Sequence, residues 1–193
     1  YRLDGQDNIK DPVGMQGVRL EVDTHIVTAA TPNMRNLDIV LDKAHVQATH
    51  HTVSSLAAAE AVLNRQQKES GTLLLDIGAA TTNIVVIEDG EVQHVAILPV
   101  GGINVTNDLA IGLKTDLDIA EVVKLKHATI EKKPVKTFVR VEHEGKSYQF
   151  DGSEIQMITE ARIDELLELV DKELKKIHKS RKLPGGVVIV GGT

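Results

Sequence analysis

The segment from Thr72 to Ile87 contains residue types that could bind a phosphate. It reads TLLLDIGAATTNIVVI, so two strand-forming runs are separated by a carboxylate, a glycine, two alanines and two threonine hydroxyls. Small residues let a ligand approach the backbone closely, and the amides and hydroxyls of a turn can donate to phosphate oxygens. An acid at the end of a strand is placed to hold a hydrated Mg²⁺. The residues alone leave two interpretations open, a phosphate-binding hairpin or a tight turn with an exposed aspartate.

Other catalytic and metal-binding patterns are weaker in this sequence. His50 and His51 are adjacent but lack the spacing of zinc motifs, and Ser54 and Ser55 lie in no nucleophile elbow. The sequence contains neither GxxxxGKS/T nor GxGxxG. If the chain binds a nucleotide, we therefore expect it to use a fold other than those that carry these two motifs.

The composition is typical of a globular chain with one large domain or two small ones. Of the 193 residues 41% are hydrophobic, 26% are charged and only 2% are aromatic, so the core must rely on Val, Ile, Leu and Ala. The net charge of −6 lacks the basic footprint of a protein that binds nucleic acid. Without cysteine there are no disulfides, thiolate zinc sites or cysteine nucleophiles, which fits a reducing cytosol. No apolar run has the length of a membrane span, and no signal peptide is visible.

The first third of the sequence predicts a strand followed by two helices. Residues 17–23, GVRLEVD, alternate apolar and charged side chains as a half-buried strand does. Thr31 is predicted to cap the first helix, with Pro32 at its first position. A second, alanine-rich helix is predicted over residues 53–67, VSSLAAAEAVLNRQQ. The apolar side chains on one side of the first helix are Leu37, Val40 and Leu41.

The middle of the sequence predicts a meander followed by two helices. Asp89-Gly90 is a strong hairpin signal between the strand that follows the opening segment and the next one. Residues 101–113 predict a turn and a short helix. Asp118 and Glu121 resemble a capping box, with the aspartate at the cap of the next helix.

The last third predicts a hairpin, a long helix and a final strand. Residues 136–150 alternate around Glu144-Gly145, which predicts the hairpin. From near Ser153, apolar residues recur at helical spacing as far as Ile177. Residues 185–193, GGVVIVGGT, predict a buried strand that ends in a diglycine.

Three segments together resemble the actin and heat-shock-chaperone ATPase superfamily. DIGAATTNIVVIEDGEV, from Asp76, resembles its second phosphate loop, whose pattern is Asp-apolar-Gly-small-x-Thr. AEVVKLKHA, from Ala120, resembles its Ala-Glu-x-x-Lys segment, and VVIVGG, from Val187, resembles its adenosine-motif strand. The block that begins at Tyr1, particularly IKDPVGMQGVRLEV, resembles the specific subdomain of the FtsA family of bacterial division proteins. The resemblance covers essentially the whole chain.

The resemblance implies an α/β actin-like ATPase fold, of the ribonuclease-H-like class, with an FtsA-specific α+β subdomain. Residues 1–45 would be part of that subdomain, 46–70 a returning segment of the first actin-like lobe, and 71–193 the second lobe. Within the second lobe, a further inserted subdomain is expected at about 114–182. The sequence resembles a fragment, because the family's first phosphate loop and C-terminal membrane helix have no counterpart in it.

The resemblance also implies ATP and Mg²⁺ as cofactors. Asp76 would organise Mg²⁺ through water molecules. Gly101 and Gly102 would either flank the phosphates or merely turn the chain, and these alternatives stay open. The residues that would face the β- and γ-phosphates are Gly78, Ala79, Thr81 and Thr82.

The nucleoside would contact two further pairs of residues. Glu121 and Lys124 would contact the sugar and base, although two residues three apart on a helix could also be a plain surface pair. Gly191 and Gly192 would lie where backbone packs against the nucleoside. We expect this fragment to bind ATP weakly or not at all, because phosphates held from one lobe lose half their donors and remain hydrated.

The function implied by the resemblance is tethering of the division protein FtsZ to the cytoplasmic membrane during septum formation. The FtsZ C-terminal tail would bind the inserted subdomain near Arg162, unless Arg162 only pairs with Glu165 or Glu168 on its own helix. ATP would support filament formation, with weak or no hydrolysis and no catalytic residue assigned. Other division proteins would bind the FtsA-specific subdomain, and no nucleic acid is expected. The intact protein would be cytoplasmic, held at the inner face of the membrane by a C-terminal helix absent here.

Two alternative functions remain open from the sequence. A PilM-like pilus-assembly scaffold would bind an extended partner peptide, but we do not expect the DPVGM block in such proteins. A chaperone-type or sugar-kinase-type ATPase would need a catalytic base or a substrate pocket, and the residues show neither.

Overall fold

The computed structural model describes residues 1–7, 9–24, 26–131 and 137–192, which form two units, Tyr1–His51 and Thr52–Thr193. The first unit contains two antiparallel strands, β1 (Arg2–Leu3) and β2 (Leu20–Glu21), and the helix α1 (Thr31–Lys43). Asp4 stabilises the chain beside β2, because its carboxylate accepts the amides of Val18 and Arg19.

The half-buried strand predicted over residues 17–23 is wrong in both length and burial. Val18 is 99% exposed, and Val22 is 52% exposed. In the described part of this unit, β2 pairs with β1 over two residues, and a ribbon of that size cannot bury a face. Among the described residues, β1 and β2 form a sheet of two strands.

The first helix was predicted within one residue of its start, but the residue predicted to cap it is wrong. The structure starts α1 at Thr31, one residue early, and the capping position is Ala30, which makes no side-chain cap hydrogen bond. Pro32 therefore lies at the second helical position, where it still removes no helical hydrogen bond. None of the helix's apolar side chains is buried within the described residues.

The single helix predicted over residues 53–67 is wrong, because the structure divides it into α2 (Ser54–Val62) and α3 (Arg65–Ser70). Asn64 begins the second helix with a capping box. Its side chain accepts the Gln67 amide at 2.9 Å, and the Gln67 side chain accepts the Asn64 amide at 3.0 Å. This reciprocal pair stabilises a new helix start, and the break turns the chain toward the sheet.

The predicted meander is confirmed as β3 (Thr72–Ile77), β4 (Thr82–Glu88) and β5 (Glu91–Leu98). Asp89 and Gly90 form the turn between β4 and β5 with φ angles of 56° and 79°. These positive angles suit a two-residue hairpin whose twist matches its strands. The centre of the meander is buried, since Leu74, Ile84 and Val85 have no exposed surface.

After the meander, α4 (Gly102–Gly112) and α5 (Leu117–His127) pack on the hairpin β6 (Phe138–His143) and β7 (Lys146–Asp151). The hairpin around Glu144-Gly145 is confirmed. The capping box predicted at Asp118 and Glu121 is wrong: α5 begins two residues earlier along the chain, with Asp116 at its cap. The Glu121 side chain instead binds Thr106 on α4 and Lys124 on its own helix.

The long helix is confirmed as α6 (Gly152–Lys176), and β8 (Val187–Val190) follows it. The second unit has a four-stranded sheet in the order β5-β4-β3-β8, with β8 parallel to β3. On one face α6 packs through Leu166, Val170 and Leu174. On the other face α2 packs through Ala59, and Leu63 packs there directly after the helix.

The last strand is half-buried, so the prediction of a buried strand is wrong. Val187 and Ile189 are 55% and 65% exposed, whereas Val188 and Val190 pack against the α2 face. The reason is that β8 is the edge of the sheet in the described chain, so α6 covers only the neighbouring strands. Among the described residues, none of the helices combines the length and hydropathy that a membrane crossing requires.

The capping box at Asn64 predicts a measurable stability loss. Asn64→Ala should lower the free energy of unfolding by about 1 kcal/mol, because the Gln67 amide at the start of α3 loses its acceptor, the Asn64 side chain. Urea denaturation monitored by circular dichroism measures it. Asn107→Ala, at an exposed position inside α4, is the control and should change stability by less than about 0.5 kcal/mol. Equal effects of the two substitutions would contradict the capping role.

Candidate functional site

The loop between β3 and β4 is a tight turn closed by its own backbone. The Gly78 amide donates to the Thr81 carbonyl at 2.9 Å. Thr82 is fully buried, and its hydroxyl donates to the Val100 carbonyl at 2.8 Å. Thr81 and Ala79 are exposed. The Thr82 hydroxyl therefore donates its proton within the protein. A ligand can reach the exposed residues of the loop.

The first turn of α4 holds this loop in place. The Gly102 and Ile103 amides donate to the Gly78 and Ala79 carbonyls at 3.0 and 2.8 Å. Gly101 lies so close that an added Cβ would be 2.4 Å from the Gly78 carbonyl oxygen. Its own amide donates to the Asn104 side chain at 2.9 Å. The amides of Gly101 and Gly102 are thus occupied by protein acceptors, and glycine is needed at 101 for the close approach.

This fastening fixes the direction of the loop amides. The described chain contains no cis peptide bond, and in a trans peptide the N–H points opposite to the preceding carbonyl. Because the Gly78 and Ala79 carbonyls point at α4, the amides of Ala79 and Ala80 point away from it. Neither amide donates to another described residue. Two neighbouring exposed amides can serve as donors to an anion.

Asp76 lies at the end of β3, half-buried beside this loop. Its Oδ2 atom accepts the Asn83 side-chain amide at 3.3 Å. In the described ranges, no three histidine or acidic side chains converge to hold a metal ion. A cation at Asp76 would accordingly keep most of its water molecules, as Mg²⁺ commonly does.

The C-terminal diglycine lies beside the same strand end. Gly191 has a φ of 121°, and an added Cβ would be 2.1 Å from the Ile77 carbonyl oxygen. Only glycine combines that φ with so close a contact. Gly192 has open space around its Cα. Strands β3 and β8 are parallel, so both glycine-containing loops leave the same edge of the sheet, where α/β proteins commonly bind ligands.

Glu121 and Lys124 form a polar cluster that reaches α4. Lys124 Nζ lies 2.8 Å from Glu121 Oε2 and 3.4 Å from the Gly102 carbonyl oxygen. The Thr106 hydroxyl lies 2.5 Å from Glu121 Oε2. The hydrogen bond from Lys124, followed by that from Thr106, holds the pKa of Glu121 below its ordinary value. These two residues are therefore tied to the start of α4 as well as paired with each other.

The structure brings most of the predicted cofactor residues together. The loop residues Gly78 and Ala79 contact the start of α4, whose Gly102 carbonyl contacts Lys124. Gly191 lies against Ile77, the residue before the loop. Sequence reasoning missed Thr106 and Asn104. Their spacing from the glycines was visible, since both follow the GG pair within one helical turn, but the partners of Thr106 on α5 were not.

Arg162 makes an ion pair that the sequence did not predict. It was expected to pair, if at all, on its own helix, yet its main partner is Asp108 on α4. Two of its nitrogens, Nε and an Nη, donate to the two carboxylate oxygens at 2.5 and 2.8 Å, and the other Nη donates to Glu165 at 2.6 Å. The bond to Asp108 raises the pKa of Arg162 above its ordinary value. Arg162 therefore links α4 to α6.

A cavity of about 310 Å³ lies beside this ion pair. Its apolar wall comes from both helices, and Ile111 on α4 is 77% exposed. The lining residues are Asp108, Ile111, Gly112, Ile158, Ala161, Arg162 and Glu165. A side chain of a partner could enter this cavity.

The close approach at Gly101 predicts that this position does not tolerate a side chain. Gly101→Ala should cost about 1–3 kcal/mol of unfolding free energy, because the methyl group collides with backbone that cannot move without breaking the loop contacts. Urea denaturation measures the loss. Gly192→Ala, where an added Cβ meets nothing within 4 Å, is the control and should be nearly neutral. An unchanged midpoint for Gly101→Ala would show that the loop is not held against α4.

Two family models match this chain. The model described as cell division protein FtsA matches residues 73–188, and the model described as the SHS2 domain inserted in FtsA matches residues 1–28. The first match contains the loop, the Glu121–Lys124 cluster and Arg162. Residues of both structural units are thus matched to the same family.

Curated relatives agree over the full length of the chain. Cell division protein FtsA from Pseudomonas aeruginosa is 33% identical over 197 aligned positions, which cover 100% of this chain and 47% of the relative. Cell division protein FtsA from Bacillus subtilis is 37% identical and covers 100% of this chain and 44% of the relative. The chain spans about half the length of the curated relatives it matches.

Solved structures confirm the predicted fold class. MreB5 of Spiroplasma citri, solved bound to ADP, has a TM-score of 0.69 at 18% identity, over 85% of this chain and 54% of that one. A PilM–PilN type IV pilus biogenesis complex has a TM-score of 0.61 at 19% identity, over 82% of this chain and 40% of that one. At such identities the likeness shows the fold alone, which is that of actin-like ATPases. The family models and the curated relatives together show that the chain belongs to the FtsA family of cell division proteins.

Proposed function

We propose that the intact protein binds ATP with Mg²⁺ at the β3–β4 loop, forms filaments and tethers FtsZ to the cytoplasmic membrane during septum formation. The observation that carries the nucleotide part is the pair of outward amides at Ala79 and Ala80. The first amides of α4 bind the carbonyls on the opposite side of the loop, so the direction of the Ala79 and Ala80 amides is set before a ligand binds. A preset donor pair loses little entropy on binding an anion.

The residues around the loop fit a nucleoside triphosphate. The exposed Thr81 hydroxyl adds a donor beside the two amides, and Asp76 is placed to bind the water shell of Mg²⁺. Because Thr82 donates to Val100, we assign it a role in holding the loop rather than in contacting phosphate. Bound Mg²⁺ would neutralise phosphate charge, and the chain's own residues would position it.

The nucleoside would lie between the cluster on α5 and the diglycine. Glu121 is 42% exposed, so its carboxylate can still accept hydrogen bonds from a ribose. Gly191 and Gly192 present backbone with no side chain in the way. We propose no catalytic residue, and we expect weak or no ATP hydrolysis, with ATP supporting filament formation.

Calorimetry with the intact protein tests the nucleotide proposal. Mg-ATP should bind the intact protein, and this 193-residue chain should bind it at least about tenfold more weakly, because phosphates held from one side stay hydrated. Asp76→Asn in the intact protein should weaken Mg-ATP binding by about tenfold, because the carboxylate that contacts the water shell of the ion is lost. The affinity for ADP without Mg²⁺ should stay unchanged.

The control is Asp89→Asn, at the turn between β4 and β5, where asparagine tolerates the same positive φ. It should not change the affinity for either nucleotide. If Asp76→Asn bound Mg-ATP as tightly as the unmodified protein, the role assigned to Asp76 would be wrong. Micromolar binding of Mg-ATP by the 193-residue chain would contradict the proposal that this chain holds the phosphates from one side only.

The partner proposal concerns the cavity beside Arg162. We propose that the FtsZ C-terminal tail inserts an apolar side chain between Ile111 and Ile158 and meets Arg162 at the rim. The ion pair with Asp108 uses only part of the guanidinium, which has five N–H donors. Arg162 is 21% exposed, so it can contact a peptide while it remains bound to α4.

Two charge variants separate a contact role from a structural role. Arg162→Glu should bind a labelled tail about tenfold more weakly and should also lose about 1–2 kcal/mol of stability, because a carboxylate then faces Asp108 and Glu165. The exchange Arg162→Glu with Asp108→Arg restores the ion pair and should recover stability, but not tail affinity. Fluorescence anisotropy and thermal melting measure the two effects.

If the exchanged protein bound the tail like the unmodified one, Arg162 would not contact it. If the unmodified intact protein failed to bind the tail, the tethering role would be wrong.

The domain organisation remains a proposal as well. We propose that residues 1–45 belong to the FtsA-specific subdomain, where other division proteins would bind, and that residues 46–70 return to the first actin-like lobe. The second lobe would span 71–193, with its insertion at about 114–182. The intact protein would lie at the inner face of the cytoplasmic membrane at the division site.

A further inference from the structure

Thr106 is a buried polar residue that lies behind the proposed nucleotide site. It is on α4, one helical turn after Gly102, and only 3% of it is exposed. Its hydroxyl oxygen lies 2.5 Å from Glu121 Oε2 and 3.0 Å from Lys124 Nζ, and both partners are on α5. The same oxygen lies 3.3 Å from the Gly102 carbonyl oxygen. A single side chain thus contacts the start of α4 and both residues that are predicted to contact the nucleoside.

The direction of these hydrogen bonds follows from the number of protons. A threonine hydroxyl has one proton to donate, and an ammonium group can only donate. Thr106 therefore accepts from Lys124 and has two candidate acceptors for its own proton. The Glu121 carboxylate is charged and closer than the Gly102 carbonyl, so it receives the proton.

Without Thr106, Glu121 and Lys124 would be a pair three residues apart on a helix, joined to α4 only by the 3.4 Å contact between Lys124 Nζ and the Gly102 carbonyl oxygen. Such pairs contribute only about 0.2–1 kcal/mol and do not hold long side chains in one rotamer. The hydroxyl ties both side chains to α4. Since the first amides of α4 also hold the β3–β4 loop, the cluster and the loop share one rigid support.

We propose that Thr106 is a positioning residue: its hydroxyl fixes the Glu121 carboxylate and the Lys124 ammonium relative to the phosphate loop, so that they meet the sugar and base of the nucleotide. This proposal rests on the proposed function of the site. Thr106 itself contacts no ligand, because it is buried beneath the two side chains that it orients. The same hydrogen bond contributes to the lowered pKa of Glu121.

Thr106→Val in the intact protein tests the proposal, because valine keeps the shape and removes the hydroxyl. Thr106→Ser keeps the hydroxyl and serves as the rescue variant. Thr159→Val is the matched control, since Thr159 is also buried in a helix, is 6% exposed and donates only to the Ile155 carbonyl of its own helix. The readouts are the Glu121 carboxyl pKa, by NMR of labelled glutamate, and the affinity for a fluorescent ATP analogue with Mg²⁺.

We expect Thr106→Val to move the pKa of Glu121 up toward its ordinary value and to weaken ATP binding about tenfold, the loss of one charge-assisted hydrogen bond. Thr106→Ser should keep both close to the unmodified values. Thr159→Val should lower the melting temperature without changing either readout.

Either of two results overturns the role of Thr106 while leaving the proposed function intact. One is an unchanged ATP affinity in Thr106→Val, and the other is an equal loss in Thr159→Val. If the unmodified intact protein bound no ATP, the proposed function would fail and the positioning proposal with it. The Glu121 titration distinguishes these cases, because it reports on the cluster without nucleotide.

Discussion

The contact between the start of α4 and the β3–β4 loop is the constraint on which the rest of the site depends. Two helix amides, at Gly102 and Ile103, donate to two loop carbonyls, at Gly78 and Ala79. The first amides of a helix have no partner within it, so the loop satisfies groups that would otherwise need water or a ligand. The contact requires close approach, and glycine at 101 provides the space. A helix end that in other proteins binds phosphate directly is here used to orient a loop whose own amides face outward.

The same helix joins this loop to the other two features of the second unit. Through Thr106 it is tied to Glu121 and Lys124 on α5, and through Asp108 it is tied to Arg162 on α6. Each link is a charged or charge-assisted hydrogen bond, and such bonds are shorter and stronger than neutral ones. The helix is 11 residues long, so its two ends are about 15 Å apart at 1.5 Å per residue. The proposed nucleotide and partner sites therefore lie at opposite ends of one rigid element.

Much of the fold of the second unit could be predicted from the sequence, because its signals are local. Asp89-Gly90 and Glu144-Gly145 predicted their hairpins since the turn requires those residues, and the apolar spacing predicted α6. The position of Asp76 and Gly78 between two strand-forming runs predicted the loop. Two failures have different causes. Asn64 begins a new helix through a local capping box with Gln67, which the helical pattern did not indicate, whereas β8 is half-buried for a tertiary reason, because it is a sheet edge. The Arg162–Asp108 pair joins residues 54 positions apart, so no local pattern indicated it. The resemblance to the FtsA family supplied the fold class, and Thr106 needed the structure.

Native-state hydrogen exchange by NMR follows the individual amides that hold the β3–β4 loop against α4. In this chain, the Gly102 and Ile103 amides should exchange as slowly as amides in the centre of β4, because their hydrogen bonds open only when α4 separates from the β3–β4 loop. The Ala79 and Ala80 amides should exchange quickly, and in the intact protein they should become protected when Mg-ATP is added. If the Gly102 and Ile103 amides exchanged as fast as the Ala80 amide, α4 would not hold the loop, and the loop would have no fixed orientation.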